Sequence, residues 1–167
     1  HITGRRHDLS FRLATALFGS AGIEWDVTAA SNEDRAVLRD WVATVKRFRG
    51  LVATGTTVRT DEPTDDRYVH ALVAPDGSEA LVALATLATA AVAVPAPLRL
   101  PGLDPARSYR VEPAALGAAP HAVQDAPPAW LAAGGITISG ALLAELGLPV
   151  PLLGPEQALV LHAVAVD

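Results

Sequence analysis

Apolar residues recur at helical spacing through Leu9, Leu13, Ala16 and Leu17, immediately after Asp8. The pattern predicts a short helix from Leu9 to Phe18 with Asp8 as its N-cap. Gly19 and Gly22 end that helix, and Ile23-Glu24-Trp25-Asp26-Val27 then alternates apolar with acidic residues, the period of a half-buried strand. Ser31-Asn32-Glu33-Asp34 reads as a capping box: the Ser31 hydroxyl accepts a backbone N–H, Asp34 reaches back, and acid sits at the positive end of the dipole. A long helix follows. Leu38, Trp41, Val42, Val45, Phe48 and Val52 form its apolar stripe, Lys46, Arg47 and Arg49 lie late, where cations suit the negative end, and Gly55 is the stop.

After Gly55 the punctuation changes. Pro and Gly recur at short intervals between β-branched and aliphatic runs, the signature of a sandwich or barrel, so a boundary is expected near residue 55. Arg67 to Ala74 and Ser78 to Leu87 flank Pro75-Asp76-Gly77, where proline sets φ and glycine accepts positive φ, and are expected to form a hairpin. Further strands are expected at Leu98 to Leu100, Ser108 to Val111, Ile136 to Ser139 and Gln157 to Val166. Ala114 to Pro128 reads as an irregular loop and Ala141 to Leu146 as one or two helical turns. Two facing sheets would bury these runs, so an antiparallel β-sandwich is expected over 56–167, with Gln157 to Val166, the longest apolar strand free of Pro and Gly, at its centre.

Composition narrows the function classes. Half of the 167 residues are apolar, enough for a packed core, and 18 acidic against 13 basic residues leave a net charge of -5 with no positive field to attract phosphate backbones. Nucleic acid is therefore not an expected partner. The apolar run from Ala80 is ended by Pro95, Pro97 and Arg99, short of the roughly 18 residues of a membrane-spanning helix, so no membrane is expected either. Absence of cysteine removes disulfides, thiolate nucleophiles and sulfur-built zinc sites, and is compatible with a cytoplasmic location. The chain has no methionine and starts at His1, so it is expected to be the later part of a longer translated protein.

Three stretches carry a resemblance: His1-Ile2-Thr3-Gly4-Arg5, Phe18-Gly19-Ser20-Ala21-Gly22-Ile23-Glu24-Trp25-Asp26 and Gly154-Pro155-Glu156-Gln157-Ala158. In this order they resemble the C-terminal region of glycoside hydrolase family 36, mostly α-galactosidases. The turn from Val73 to Ala80 and the run Leu100-Pro101-Gly102-Leu103-Asp104-Pro105 resemble its β-domain. The resemblance implies an α/β fragment, the last elements of a (β/α)8 barrel over 1–55, followed by an all-β antiparallel domain over 56–167. Leu9 to Phe18 would be the seventh barrel helix, Ile23 to Val27 the last strand and Ser31 to Thr54 the last helix.

The family's chemistry implies retaining hydrolysis by two Asp residues about 5 Å apart. Neither has a counterpart here, since both belong to earlier barrel strands, so no catalytic residue is assigned. Ser20 departs from the bulkier residue that relatives often carry. The implied parent removes terminal α-galactosyl units from oligosaccharides such as melibiose or raffinose, with no cofactor. A barrel end standing alone would leave Ile23 to Val27 without parallel partners and the Leu38, Trp41, Val45 and Phe48 stripe incompletely covered, so association into a homo-oligomer is an expected consequence.

The candidate site residues follow from this frame. His1 would end the seventh strand, at the face that lines the active site of such barrels, and is the one substrate-binding candidate, with His7 behind it. Glu24 and Asp26 share a strand face as acid/base work would require, but acids at a strand end also hold loops through hydrogen bonds. Asp61-Glu62 and Asp65-Asp66 around Pro63 lack the spacing of a calcium loop and read as a solvated linker. His70 and His162 read as neutral core imidazoles satisfied by hydrogen bonds, His121 lies in the loop, and no metal is assigned to the three. Gly55-Thr56-Thr57-Val58-Arg59 is not a phosphate loop. Trp130 is the candidate sugar-stacking platform, unless it caps the end of the domain; Trp41 reads as core. The rival class is a non-catalytic β-sandwich module, carbohydrate-binding or structural, which would not need the strand and two helices before residue 55.

Overall fold

The computed structural model describes residues 4, 7–59, 66–114 and 116–166. Two helices come first, α1 (Leu9–Ala16) and α2 (Asn32–Thr54), and then β1 (Thr56–Val58), β2 (Arg67–Val73), β3 (Glu79–Thr86), β4 (Ser108–Pro113), α3 (Ala129–Ala132), β5 (Ile136–Ser139), α4 (Gly140–Glu145) and β6 (Gln157–Val166). The six strands form one antiparallel sheet in the order β1-β2-β3-β6-β4-β5. β6 lies between β3 and β4, the central place its unbroken apolar sequence predicts.

The hairpin and the long helix form by local chemistry. Gly77 takes φ +67 and donates its N–H to the Ala74 carbonyl at 2.9 Å, while Asp76 Oδ1 accepts from the Ser78 N–H at 3.0 Å and the Ser78 hydroxyl at 2.6 Å. These bonds set the register of β2 against β3. At the start of α2 the Ser31 Oγ accepts from the Asp34 N–H at 3.0 Å and its hydroxyl donates to the Asp34 carboxylate at 2.8 Å. Asp34 thus reaches back to the Ser31 side chain, a variant of the reciprocal box. At the far end Gly55 donates to the Leu51 carbonyl at 2.7 Å, and a Cβ there would sit 2.5 Å from that oxygen, so the stop requires glycine through close approach while its φ is an ordinary -68.

Both faces of the sheet are buried, which explains why β3 reads as an almost continuous apolar run. On one face Leu72, Leu81, Ala83 and Val160 meet Leu13, Ala14 and Leu17 of the α1 region and Leu38, Trp41, Phe48 and Leu51 of α2. Trp41 Nε1 donates to the Leu13 carbonyl at 3.0 Å and fastens the two helices together. On the other face Val82, Leu84, Tyr109, Val111 and Leu161 meet Leu98, Leu103, Trp130, Leu143, Leu148 and Leu153.

Four expectations are corrected. Among the described residues after 55 there is a single sheet, not two facing sheets: its outer layer is coil with α3 and α4, joined by bridges Leu98↔Leu148 and Ala122↔Leu153. Pro95, Pro97, Pro101, Pro105, Pro120, Pro127 and Pro128 have no N–H to donate, so these segments bury leucines without making a ladder. For the same reason Leu98 to Leu100 is one bridge rather than a strand. Ile23 to Val27 forms no strand: the chain bends at Trp25 and turns at Val27, no described residue pairs with it, and Ile23, Trp25 and Val27 are 40%, 40% and 42% exposed. The stripe of α2 is better covered than expected: Leu38, Trp41 and Phe48 are buried by the sheet and α1, and only Val42, Val45 and Val52 stay half-buried.

Candidate functional site

Segment 19–30 lies between the two helices and carries the carboxylates that the sequence singles out. Asp26 closes a tight turn, its Oδ1 accepting from the Thr28 hydroxyl at 2.6 Å and the Thr28 N–H at 3.0 Å. Those bonds, the hydroxyl's first, hold its carboxyl below the usual carboxylate range. Arg35 ties the same segment down by donating to the Ala30 carbonyl at 2.7 Å. Glu24 is exposed. Asp26 is a loop-holding acid, and the two carboxylates do not converge on an enclosed space. His1, Asp61, Glu62, Pro63 and Asp65 lie outside the described residues, so the sugar-contact and linker readings are without geometry here. Among the described residues no group of three or more His, Asp or Glu side chains is arranged to hold a metal.

Polar side chains concentrate instead where the helices meet the sheet. His162, on β6 and 3% exposed, lies 2.7 Å through Nε2 from Glu79 Oε1 and 3.1 Å through Nδ1 from Arg47 Nη2. Arg47 has only N–H groups to offer, so Nδ1 accepts and Nε2–H donates to Glu79. The Phe48 ring stands edge-on to the imidazole at 4.8 Å, and the Arg47 guanidinium lies 4.9 Å from the Phe48 ring centre. The expected satisfied core histidine is therefore present, and it bridges α2, β3 and β6. His70 differs: its ring lies 4.7 Å from Phe18, its Nε2 is buried with no hydrogen-bond partner, and burial first and Arg59 second push its pKa down.

A second polar cluster joins the start of α1 to the start of β6. Gln157 Oε1 accepts the His121 N–H at 2.8 Å and its Nε2 donates to Asp8 Oδ2 at 3.0 Å, so Asp8 stands at the N-cap position without capping its own helix, contrary to expectation. Beside it Glu156, at φ +57, brings its carboxylate to 3.0 Å from His7 Nδ1, an ion-pair distance without hydrogen-bond alignment. Sequence reasoning singled out Gly154 to Ala158 only as a motif; nothing in the pattern pointed to partners at the other end of the chain.

The aromatic candidates are structural. Trp130 is buried and its indole N–H donates to the Pro149 carbonyl at 2.7 Å, so it caps the domain and offers no stacking face. Tyr109 is fully buried, its hydroxyl donating to the Gly77 carbonyl at 2.7 Å and accepting the Asp104 N–H at 2.9 Å. A cavity of about 500 Å³ opens between α1, the 114–127 loop and β6, lined mostly by Ala, Pro and Leu with Ser10, Gln124 and Asp125 as its polar members. Gln124 is already engaged with the Leu152 N–H at 2.7 Å.

Comparison with known proteins supplies the frame that this geometry lacks. Residues 67–163 match the glycosyl hydrolase family 36 C-terminal domain, and residues 1–55 match the melibiase family. An α-galactosidase of Escherichia coli is 35% identical over 96% of this chain and 23% of its own length, and α-galactosidase AgaA of Geobacillus stearothermophilus is 34% identical over 67% of this chain and 16% of its own. A crystal structure of an AgaA variant in complex with raffinose superimposes with a TM-score of 0.79 at 28% identity, covering 99% of this chain and 20% of that one. The galactosidase domain of the α-galactosidase–sucrose kinase AgaSK gives 0.78 at 26%, covering 99% and 21%. The chain thus spans less than a quarter of the length of these relatives.

Proposed function

The chain belongs to glycosyl hydrolase family 36, and we propose that it is the C-terminal part of a retaining α-galactosidase, bracing the end of the catalytic barrel while the reacting carboxylates come from elsewhere in the enzyme. In this reading residues 1–55 end the barrel and 56–167 form the β-domain behind it. Its substrates are oligosaccharides with a terminal α-galactosyl unit, such as melibiose or raffinose, and His1 is the candidate sugar contact. One carboxylate attacks the anomeric carbon as the other protonates the leaving oxygen, and water then releases the sugar with its configuration kept.

The observation that carries the reading is the state of Ile23 to Val27. A segment with the alternation of a strand lies unpaired between two helices, with its apolar side chains exposed, while both helices are packed on the sheet. That is the arrangement expected of a last barrel strand set apart from its parallel neighbours. The chain's own work is mechanical: α2 is fixed to the sheet by Phe48, Trp41 and the Arg47–His162–Glu79 bridge.

The test is to express the complete reading frame that encodes this chain and assay the product on a chromogenic α-galactoside, following the first-formed anomer by NMR. Hydrolysis releasing α-galactose is expected. No hydrolysis, or β-galactose as the first product, would overturn the reading.

A further inference from the structure

Glu156, just before β6, and Gln157, its first residue, reach the two residues that lead into α1, and in each case local stability is given up to do so. Asp8 holds the N-cap position, where a carboxylate ordinarily accepts from the first free N–H groups of its own helix. Here the carboxylate goes instead to Gln157, 149 residues further along the chain. Glu156 adopts a left-handed backbone that is unfavourable for any residue with a side chain, and so carries its carboxylate to His7. Gln157 has no freedom in the matter. Its amide oxygen is taken by the His121 N–H, which obliges the amide nitrogen to face Asp8, and the side chain is buried.

In a (β/α)8 barrel the helices start on the face where the strands end, which is the face that holds the active site. We infer that Gln157 is a positioning residue for the sugar pocket: it holds the start of α1, on that face of the barrel, from the β-domain side. This inference rests on the α-galactosidase reading above. Gln157 touches no substrate in this account; it acts through Asp8. Loosening the clasp lets the start of α1 shift, and since substrate positioning is sensitive to displacements of an ångström, the loss should fall on substrate binding before chemistry.

The test uses a polarity swap in the complete enzyme. Gln157→Glu keeps an oxygen for the His121 N–H but sets a carboxylate against that of Asp8; adding Asp8→Asn lets an asparagine amide donate to the new glutamate and restores the bond in reverse. With a chromogenic α-galactoside, Gln157→Glu should raise KM about tenfold with kcat within about twofold, and the double variant should return KM to within about twofold of the starting enzyme. Asp8→Ala, at an exposed position that does not threaten folding, should raise KM in the same way. An unchanged KM in Gln157→Glu or in Asp8→Ala, or a loss that the swap fails to restore, overturns the inference while leaving the α-galactosidase reading intact. No turnover by the unmodified enzyme overturns both.

Discussion

Replacing Trp130 by phenylalanine tests its capping role. The indole is buried in the apolar cluster that also holds Leu98, Leu148 and Val150, and its one polar atom donates to the Pro149 carbonyl at 2.7 Å. Phenylalanine keeps most of the apolar contact and removes the donor, so the main loss is a carbonyl left without its partner, worth about 1–2 kcal/mol. For a chain of this size that corresponds to a fall of roughly 2–8 °C in melting temperature. Trp130→Ala adds a cavity and should cost about 3–5 kcal/mol. Calorimetry would read both, alongside titration of each variant with raffinose. Stability should fall in that order with no change in sugar binding. A Trp130→Phe chain that melts normally but loses affinity for oligosaccharide would refute the capping role and favour a carbohydrate-binding module.

Other consequences follow from single residues. Tyr109→Phe leaves both the Gly77 carbonyl and the Asp104 N–H without a partner, and should cost about 2–3 kcal/mol in urea unfolding. His70 has its pKa lowered in the folded chain by burial and then by Arg59, so the unfolded chain binds that proton first. The contribution is intact above a pH of about 6.5 and declines as pH falls toward the depressed folded value, so the urea midpoint should drop below about pH 6.5 and His70→Gln should remove part of that drop. Ile23, Trp25 and Val27 present an exposed apolar strip, so the isolated chain should bind a dye that reports apolar surface, and serine at Ile23 and Val27 should weaken that binding.

What the sequence made legible was local. The Ser31 cap, the Pro75-Asp76-Gly77 turn and the α2 stripe each depend on residues within a few positions of one another, and each forms as its pattern predicts. β6 was legible as a central strand because ten residues without Pro or Gly suit burial on both sides. The covering layer was not: leucines in Pro-rich segments have the same composition whether they belong to a second sheet or to packed coil, and only the missing N–H donors tell them apart. Ile23 to Val27 has the period of a strand, but period does not supply a partner. For the candidate site, the resemblance led to the family, while the Gln157–Asp8 and Arg47–His162–Glu79 contacts join residues 149 and 115 positions apart in the former and in Arg47–His162, beyond any spacing rule.

In the proposed reading this chain braces an α-galactosidase whose reacting carboxylates come from elsewhere in the enzyme. Asp26 is committed to Thr28, and Glu24 lies exposed on the same short segment. A retaining site instead needs two carboxyls about 5 Å apart on either side of the scissile bond. The most direct measurement is the rate at which the purified 167-residue chain hydrolyses a chromogenic α-galactoside, run beside Glu24→Gln and Asp26→Asn to exclude a contaminating host enzyme. No turnover is expected from any of the three; turnover by the unaltered chain that disappears in either variant would show that the chain holds its own catalytic pair and overturn the bracing role.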